Sequence, residues 1–269
     1  MARGKGKAGV GKRGRQADAA KAPARRGRPK KSTGRKNKVK KTKSLKSRVI
    51  TFAAAFLLAI AMVPLVLGLI YRVSWVHPVS VPMLADNWNG LPVSRLWVKF
   101  DDVSPVLVKA VIMSEDGQFC SHRGVDWSAI NAVIGDAIGG EKTRGASTIS
   151  MQVVKNLFLW NSRSYFRKVL EVPLAIYVDL IWSKRRQMEI YLNIAEWGPG
   201  IYGIEAAAVH HFKRSAARLS TAQAALLAVT LPNPALRDPN RPSKHMRALA
   251  RINRARIGIA GSHVRCLVK

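Results

Sequence analysis

Between Val49 and Tyr71 the chain carries no charged residue: VITFAAAFLLAIAMVPLVLGLIY. As an α-helix these 23 residues are long enough to cross a hydrocarbon core of about 30 Å. Arg48 closes one end, and Tyr71, Arg72 and Trp75 form an interfacial belt at the other. Pro64 falls inside the run, where a kink is tolerated in lipid if neighbours satisfy the freed carbonyl. A cleaved signal peptide competes with this reading. It would carry a shorter apolar region followed by a small-x-small site, and none lies between the end of the run and His77-Pro78. A permanent single-span anchor, residues 49–71, is the expectation.

Charge orients the span. The formal charge of +31 over 269 residues is concentrated before it: residues 1–48 hold 20 Lys and Arg against the single acid Asp18. Such a segment buries too little apolar surface to offset its chain entropy, so a disordered tail is expected. An excess of Lys and Arg stays on the cytoplasmic side, which puts Val73–Lys269 across the membrane; if the cell is a bacterium, that compartment is the periplasm or the outer membrane face. The tail holds no aromatic residue for base stacking, so anionic lipid is the expected partner and nucleic acid is not. Cys120 and Cys266 are too few and too far apart to suggest a disulfide framework, and both read as ordinary small side chains. No metal-ligand spacing of His and Cys is visible.

Beyond the span, residues 72–103 contain several Pro and Trp and read as an extended linker, with a domain from 104 to 269. Ser104-Pro105 is a helix start, the hydroxyl free to cap and Pro without an N–H to lose. The apolar run Val106–Met113 then delivers Glu115-Asp116 to a turn. Helical periodicity returns over 126–138, with Asp126 or Ser128 as cap, and over 148–160, 164–182 (interrupted at Pro173), 183–193 and 204–212. It recurs over 220–230, where Ser220 and Gln223 make a capping box, and in the first half of 243–269. Gly198, Gly200 and Gly203 read as a loop. No strand pattern rises above background. The fold class is mostly α.

Three polar clusters interrupt the helices: Glu115-Asp116, Arg144–Asn156 and Arg163–Glu171. Arg167 and Lys168 stand four and three residues before Glu171, so the three share a helix face. As an exposed ion pair this would contribute only about 0.3–0.5 kcal/mol. Lys155, Arg163, Arg167 and Lys168 together leave an excess of positive charge, which suits phosphate or pyrophosphate.

EDGQFCSHRGVD, RGASTISMQVVKN, RKVLEVPLAIYVDLIWSKRRQMEIYLNIAEWGPGIYGIEAAA and LSTAQAALLAVTLPNP resemble, in order and spacing, the peptidoglycan glycosyltransferases. These are lysozyme-like, membrane-anchored enzymes that polymerise lipid II. The likeness spans residues 104–234, and with no penicillin-binding transpeptidase region following, the chain is similar to the monofunctional members. Three positions depart from the family pattern: Ala146 for a common second Gly, Met151 for the first of a Gln pair, and Trp197 for a usual Phe. The charged positions are intact.

What the resemblance implies is a reaction. Glu115 would be the base that takes the proton from the acceptor sugar's 4-hydroxyl. That oxygen would attack the anomeric carbon of the donor, inverting it to a β-1,4 link and releasing undecaprenyl pyrophosphate. Glu171 would be the second essential carboxylate, on the leaving-group side. Lys155 and Arg163 would hold the pyrophosphate, with Arg167 and Lys168 assisting. Asp116, Ser147, Thr148, Gln152, Asn156 and Glu205 would shape the site, and His122 reads as structural. Lipid II, the growing lipid-linked strand and the inner membrane are the expected partners, with other cell-wall synthesis proteins as candidates. No cofactor is required, although Mg²⁺ or Mn²⁺ could sit against pyrophosphate oxygens. Two alternatives stand beside this reading: a lysozyme-like lytic glycosidase, which also uses carboxylates, and a non-catalytic membrane scaffold of the cell-wall machinery.

Overall fold

A computed structural model describes residues 45–140, 145–162 and 164–268. The expected disorder of the basic tail concerns residues outside this set except at its last four positions, and Arg144 and Arg163 lie outside it as well. The first helix, α1 (Leu45–Tyr71), runs unbroken with Pro64 inside it, and almost none of its apolar surface is covered. It is long and apolar enough to cross a membrane.

The remaining elements follow in order: α2 (Val81–Trp88), β1 (Ser94–Arg95), α3 (Pro105–Glu115), α4 (Trp127–Ile138), α5 (Ile149–Phe158), α6 (Tyr165–Ile181) and α7 (Lys184–Ile194). After these come β2 (Glu196–Gly198), β3 (Ile201–Tyr202), α8 (Ile204–Phe212), α9 (Thr221–Ala228) and α10 (Lys244–Gly258). The domain is mostly helical, as expected. In its core α3 packs on α9 and α10, while α5 packs on α6 and α7. Leu107, Val111, Ile112, Ile149, Val153, Ile190 and Leu192 are fully buried there.

Several expectations are corrected. Residues 72–103 are not an extended linker: they form α2, β1 and the short 3₁₀ turn Phe100–Asp102, and they bury Met83 and Val98 in the common core. The glycine loop after α7 is a β-hairpin, and β3 also pairs in parallel with β1, giving a three-stranded sheet in the order β1-β3-β2. Strands of two or three residues are too short to show alternation in sequence. Ser104 sits at the start of α3 but its hydroxyl makes no capping bond. Asp126 does cap α4, accepting from the Ala129 N–H at 2.9 Å, and the Ser220–Gln223 capping box is formed.

α6 does not break at Pro173. Proline removes only the bond to the Val169 carbonyl, and Val169 lies on the exposed side of the helix. The opposite side turns Glu171, Ala175 and Val178 inward. α1 meets this helix where Gly68 leaves room, since a Cβ there would lie 2.7 Å from Tyr177 Cε1. Tyr177 and Trp182 donate to the carbonyls of Leu65 and Gly68 at 2.6 and 2.7 Å. Arg186 on α7 donates to the carbonyls of Tyr71, Val73 and Val76.

Cys120 and Cys266 form a disulfide, with Cα atoms 5.4 Å apart across 146 residues of sequence. Reading them as ordinary small side chains is therefore wrong. Distance along the chain says nothing once the 3₁₀ segment Ser262–Leu267 folds back against α3 and α7.

Asn193 fastens residues 72–103 to α7. Its side chain accepts from the Val98 N–H and donates to the Val98 carbonyl, both at 2.8 Å, and it is fully buried. Replacement by alanine strands two buried backbone groups, each costing about 1–3 kcal/mol. Asn193→Ala is expected to lower unfolding stability by about 2–4 kcal/mol, read by denaturant unfolding of the detergent-solubilised protein.

Candidate active site

Glu115 is the last residue of α3, so its backbone is set by the helix on one side and by the loop 116–126 on the other. Its carboxylate accepts from Gln152 Nε2 at 3.1 Å and from the Ser114 hydroxyl at 3.3 Å. Gln152 is oriented in turn by Tyr191, whose hydroxyl donates to Gln152 Oε1 at 3.0 Å. Because the amide oxygen is occupied by a buried phenol, the amide NH₂ must face Glu115. Burial pushes the Glu115 carboxyl above its ordinary range. The bonds from Gln152 and Ser114 and the nearby Arg237 pull it partly back, and Asp116 pushes it further up.

Asp116 faces the other way. Buried, it accepts from the Ile149 N–H at 2.8 Å and from His122 Nε2 at 2.9 Å. Thr148 caps α5 by accepting from the Met151 N–H, and donates to the Gly124 carbonyl at 2.6 Å. That contact is possible because Gly124, at φ +82°, leaves no Cβ to strike the Ala175 carbonyl. The polar atoms of Asp116 and Thr148 are engaged inside the protein. They join the end of α3 to the start of α5.

On α5, Gln152, Lys155 and Asn156 fall at positions i, i+3 and i+4 and line one groove of about 340 Å³ with Tyr191, Glu196 and Asn233. Lys155 makes no hydrogen bond or ion pair with any described residue. Burial pushes its ammonium below the ordinary lysine range; Glu171 and Glu115 draw it up again, and Arg167 and Lys168 press it down.

Glu171 stands behind this groove, 2 % exposed. One oxygen is held by Arg167 and the other by Lys168 Nζ at 3.0 Å. Lys168 also donates to the Ser147 hydroxyl at 2.5 Å, and Arg167 Nε to the Ser162 carbonyl at 2.8 Å. Among the described residues, the expected site thus divides into a base with its amide partner, a groove holding one free ammonium, and a buried carboxylate with two cations. Glu205 belongs to none of these parts: it accepts from the Ala216 N–H at 2.7 Å and lines a separate cavity with His77 and Trp97.

The sequence profile of the family described as Transglycosylase matches residues 85–257. The chain belongs to the transglycosylase family. Its match begins before Ser104 and ends beyond Pro234, so it takes in the second half of α2, β1 and nearly all of α10. The chain is 57 % identical over 218 residues, 81 % of its length and 97 % of the relative's, to a biosynthetic peptidoglycan transglycosylase of Brucella suis. It is 57 % identical over 210 residues to one of Rhizobium meliloti, covering 78 % and 89 % of the two chains. A Mesorhizobium japonicum transglycosylase is 58 % identical over 209 residues, with 77 % and 89 % covered.

Within this transglycosylase, sequence reasoning missed three groups. Tyr191 sits in an apolar helical run and reads as core. Glu196, its carboxyl raised by burial and by Asp86, lay in what read as a glycine loop. Arg237, whose guanidinium donates to the Val229 carbonyl at 2.6 Å and acts on Glu115, lies beyond the last recognisable motif.

Stability should register the strain at Glu115. Its folded carboxyl keeps the proton to higher pH than the unfolded one, so stability is intact below the ordinary value of 4.5 and is lost as pH rises through the raised folded value. Glu115→Gln removes that loss. Its melting temperature at pH 7 should equal or exceed that of the unmutated protein, with the advantage shrinking as pH falls towards 4.5 and absent below it; thermal unfolding across pH measures it.

Proposed function

We infer that this peptidoglycan transglycosylase extends glycan strands with Glu115 as general base and a cationic clamp at Lys155 for the leaving pyrophosphate. The class of enzyme follows from its family; the division of labour rests on the geometry. The observation that carries it is a desolvated carboxylate held by an oriented amide beside a groove that presents an ammonium with no partner among the described residues. A raised carboxyl is a stronger base, and Glu115 meets the acceptor 4-hydroxyl next to that amide. As the oxygen attacks the donor's anomeric carbon, the glycosidic bond to pyrophosphate breaks and the electron pair leaves with the phosphate oxygen. Lys155 faces that growing charge in a partly desolvated groove, where a fixed cation acts more strongly than in water.

Glu171 takes a supporting role in this scheme. With both oxygens engaged by cations and its side chain buried, it is poorly placed as a nucleophile, which argues against a retaining lytic glycosidase. It holds Arg167 and Lys168 in position beside Lys155 while leaving the group net positive. Arg163, the other expected pyrophosphate ligand, lies outside the described residues.

The substrate is lipid II together with the growing lipid-linked strand. An enzyme acting on a carrier that stays in the bilayer gains from its own tether, and α1 supplies one. We place the catalytic domain on the periplasmic face of the inner membrane on the strength of the basic residues before α1, with anionic lipid as the partner of that tail and cell-wall synthesis proteins as further candidates. The exposed Trp127, Ile134 and Ile138 of α4 support contact of this helix with the headgroup layer. The donor set does not fit a protein-held Mg²⁺ or Mn²⁺: among the described residues no three metal-ligating side chains converge, and Glu171 is already neutralised by two cations. No step is routed through a metal.

Purified protein incubated with labelled lipid II should yield glycan strands, separable by gel and digestible by muramidase. Glu115→Gln is expected to lower kcat by at least about 100-fold with lipid II binding retained. Lys155→Met should lower kcat by about 100-fold or more. Full turnover by either variant would remove the corresponding role.

A further inference from the structure

The loop after Glu115 is anchored from two directions. On its own side, Asp116 is tied to Ile149 and His122, and Phe119 is fully buried under Lys184. Between these anchors lie Gly117, whose missing Cβ would meet nothing within 4 Å, and the exposed Gln118. This is the weakly packed part of a turn that begins one residue after the base. Here the far end of the chain intervenes. His263 lies with Nδ1 at 2.5 Å from the Gly117 carbonyl, and since a carbonyl only accepts, Nδ1 carries the proton. Cys266 is bonded to Cys120, and its backbone N–H points at Cys120 Sγ at 3.2 Å. The segment bearing both residues is itself held by buried Val264 and Leu267 and by Arg185, which donates to the Leu267 carbonyl at 3.3 Å.

We propose that Ser262–Leu267 is a positioning clamp for the base, with His263 and the Cys120–Cys266 disulfide fixing the Gly117–Cys120 loop and hence the direction of Glu115. None of these residues reaches the groove; they act through the backbone that follows the base. The role rests on the polymerase reading above but makes a separate structural claim. The disulfide joins an exposed Cys266 to a half-buried Cys120, so solvent thiols reach it. Reduction by dithiothreitol transfers two electrons and two protons, giving two cysteine thiols and the cyclic disulfide of the reagent.

The test uses the full chain in detergent, oxidised and after reduction, with thiol titration to verify opening. Hydrogen exchange of peptides covering 114–123 should speed about tenfold on reduction while peptides from α5 and α7 stay unchanged. With lipid II, kcat should fall about tenfold and KM stay within twofold. His263→Ala should repeat part of the kcat loss, and His263→Asn, which keeps a donor near the same place, should restore it. Unchanged exchange at 114–123 overturns the clamp. So does faster exchange throughout the domain, or equal losses in His263→Ala and His263→Asn. If the oxidised protein makes no glycan, the polymerase reading fails, and the exchange data still decide the clamp.

Discussion

A single hydrogen bond, from the Ile149 N–H to the Asp116 carboxylate, sets the relation on which the site depends. It joins the C-terminal end of α3 to the first turn of α5. Glu115 ends the first helix, while Gln152 and Lys155 ride on the second. A charged acceptor at a helix N-terminus satisfies an orphan donor and meets the positive end of the dipole. Inside the protein, where water cannot replace it, that bond defines a distance more firmly than apolar packing would. His122 holds the other face of the same carboxylate, and Thr148 ties the start of α5 to the loop through Gly124. The acid next to the proposed base thus works as a joint.

The same logic of committed and uncommitted charge separates the two glutamates. Glu171 is surrounded by donors and has no oxygen free for chemistry; Glu115 has neutral donors only and is pushed towards the neutral form by burial. Exchange these environments and neither could act: a cation-paired Glu115 would be a feeble base, and an unpaired Glu171 would leave Arg167 and Lys168 unconstrained. Lys155 is the complement, a cation with no described partner in the groove proposed for the leaving pyrophosphate.

Much of this was legible in the sequence, for identifiable reasons. Helices α3 to α10 were visible because their apolar residues recur with the period of a helix that buries one face, and Glu115, Lys155, Arg167, Lys168 and Glu171 because charges amid such runs are unusual. What stayed hidden depends on three-dimensional closure. Tyr191 looks like any buried aromatic until its hydroxyl is seen on Gln152. Residues 72–103 look like a linker because Pro and Trp obscure periodicity, and the contacts that fold them in are distant in sequence, such as the side chain of Asn193, 95 positions from Val98. The disulfide was hidden for the same reason: nothing local announces it. Asp116 and Thr148 were recognised as belonging to the site, but whether a polar atom points into a groove or into the protein is a matter of direction that no spacing encodes.

α6 carries two demands at once, and this explains why Pro173 is tolerated in it. Its inner side must bury Glu171, with Ala175 and Val178 behind it, while Phe166, Val169, Ile176 and Leu180 remain exposed on the other. Tyr177 and Trp182 on this stretch also grip the carbonyls at the end of α1. With α1 in the bilayer as proposed, the helix that organises the cations is fixed in height by the helix that anchors the chain. A pyrophosphate on a lipid carrier sits at the headgroup level and cannot travel far from it. Rigid coupling of clamp to anchor therefore removes a positional search that a flexible linker would leave open, and gives a physical reason for residues 72–103 to be folded rather than extended.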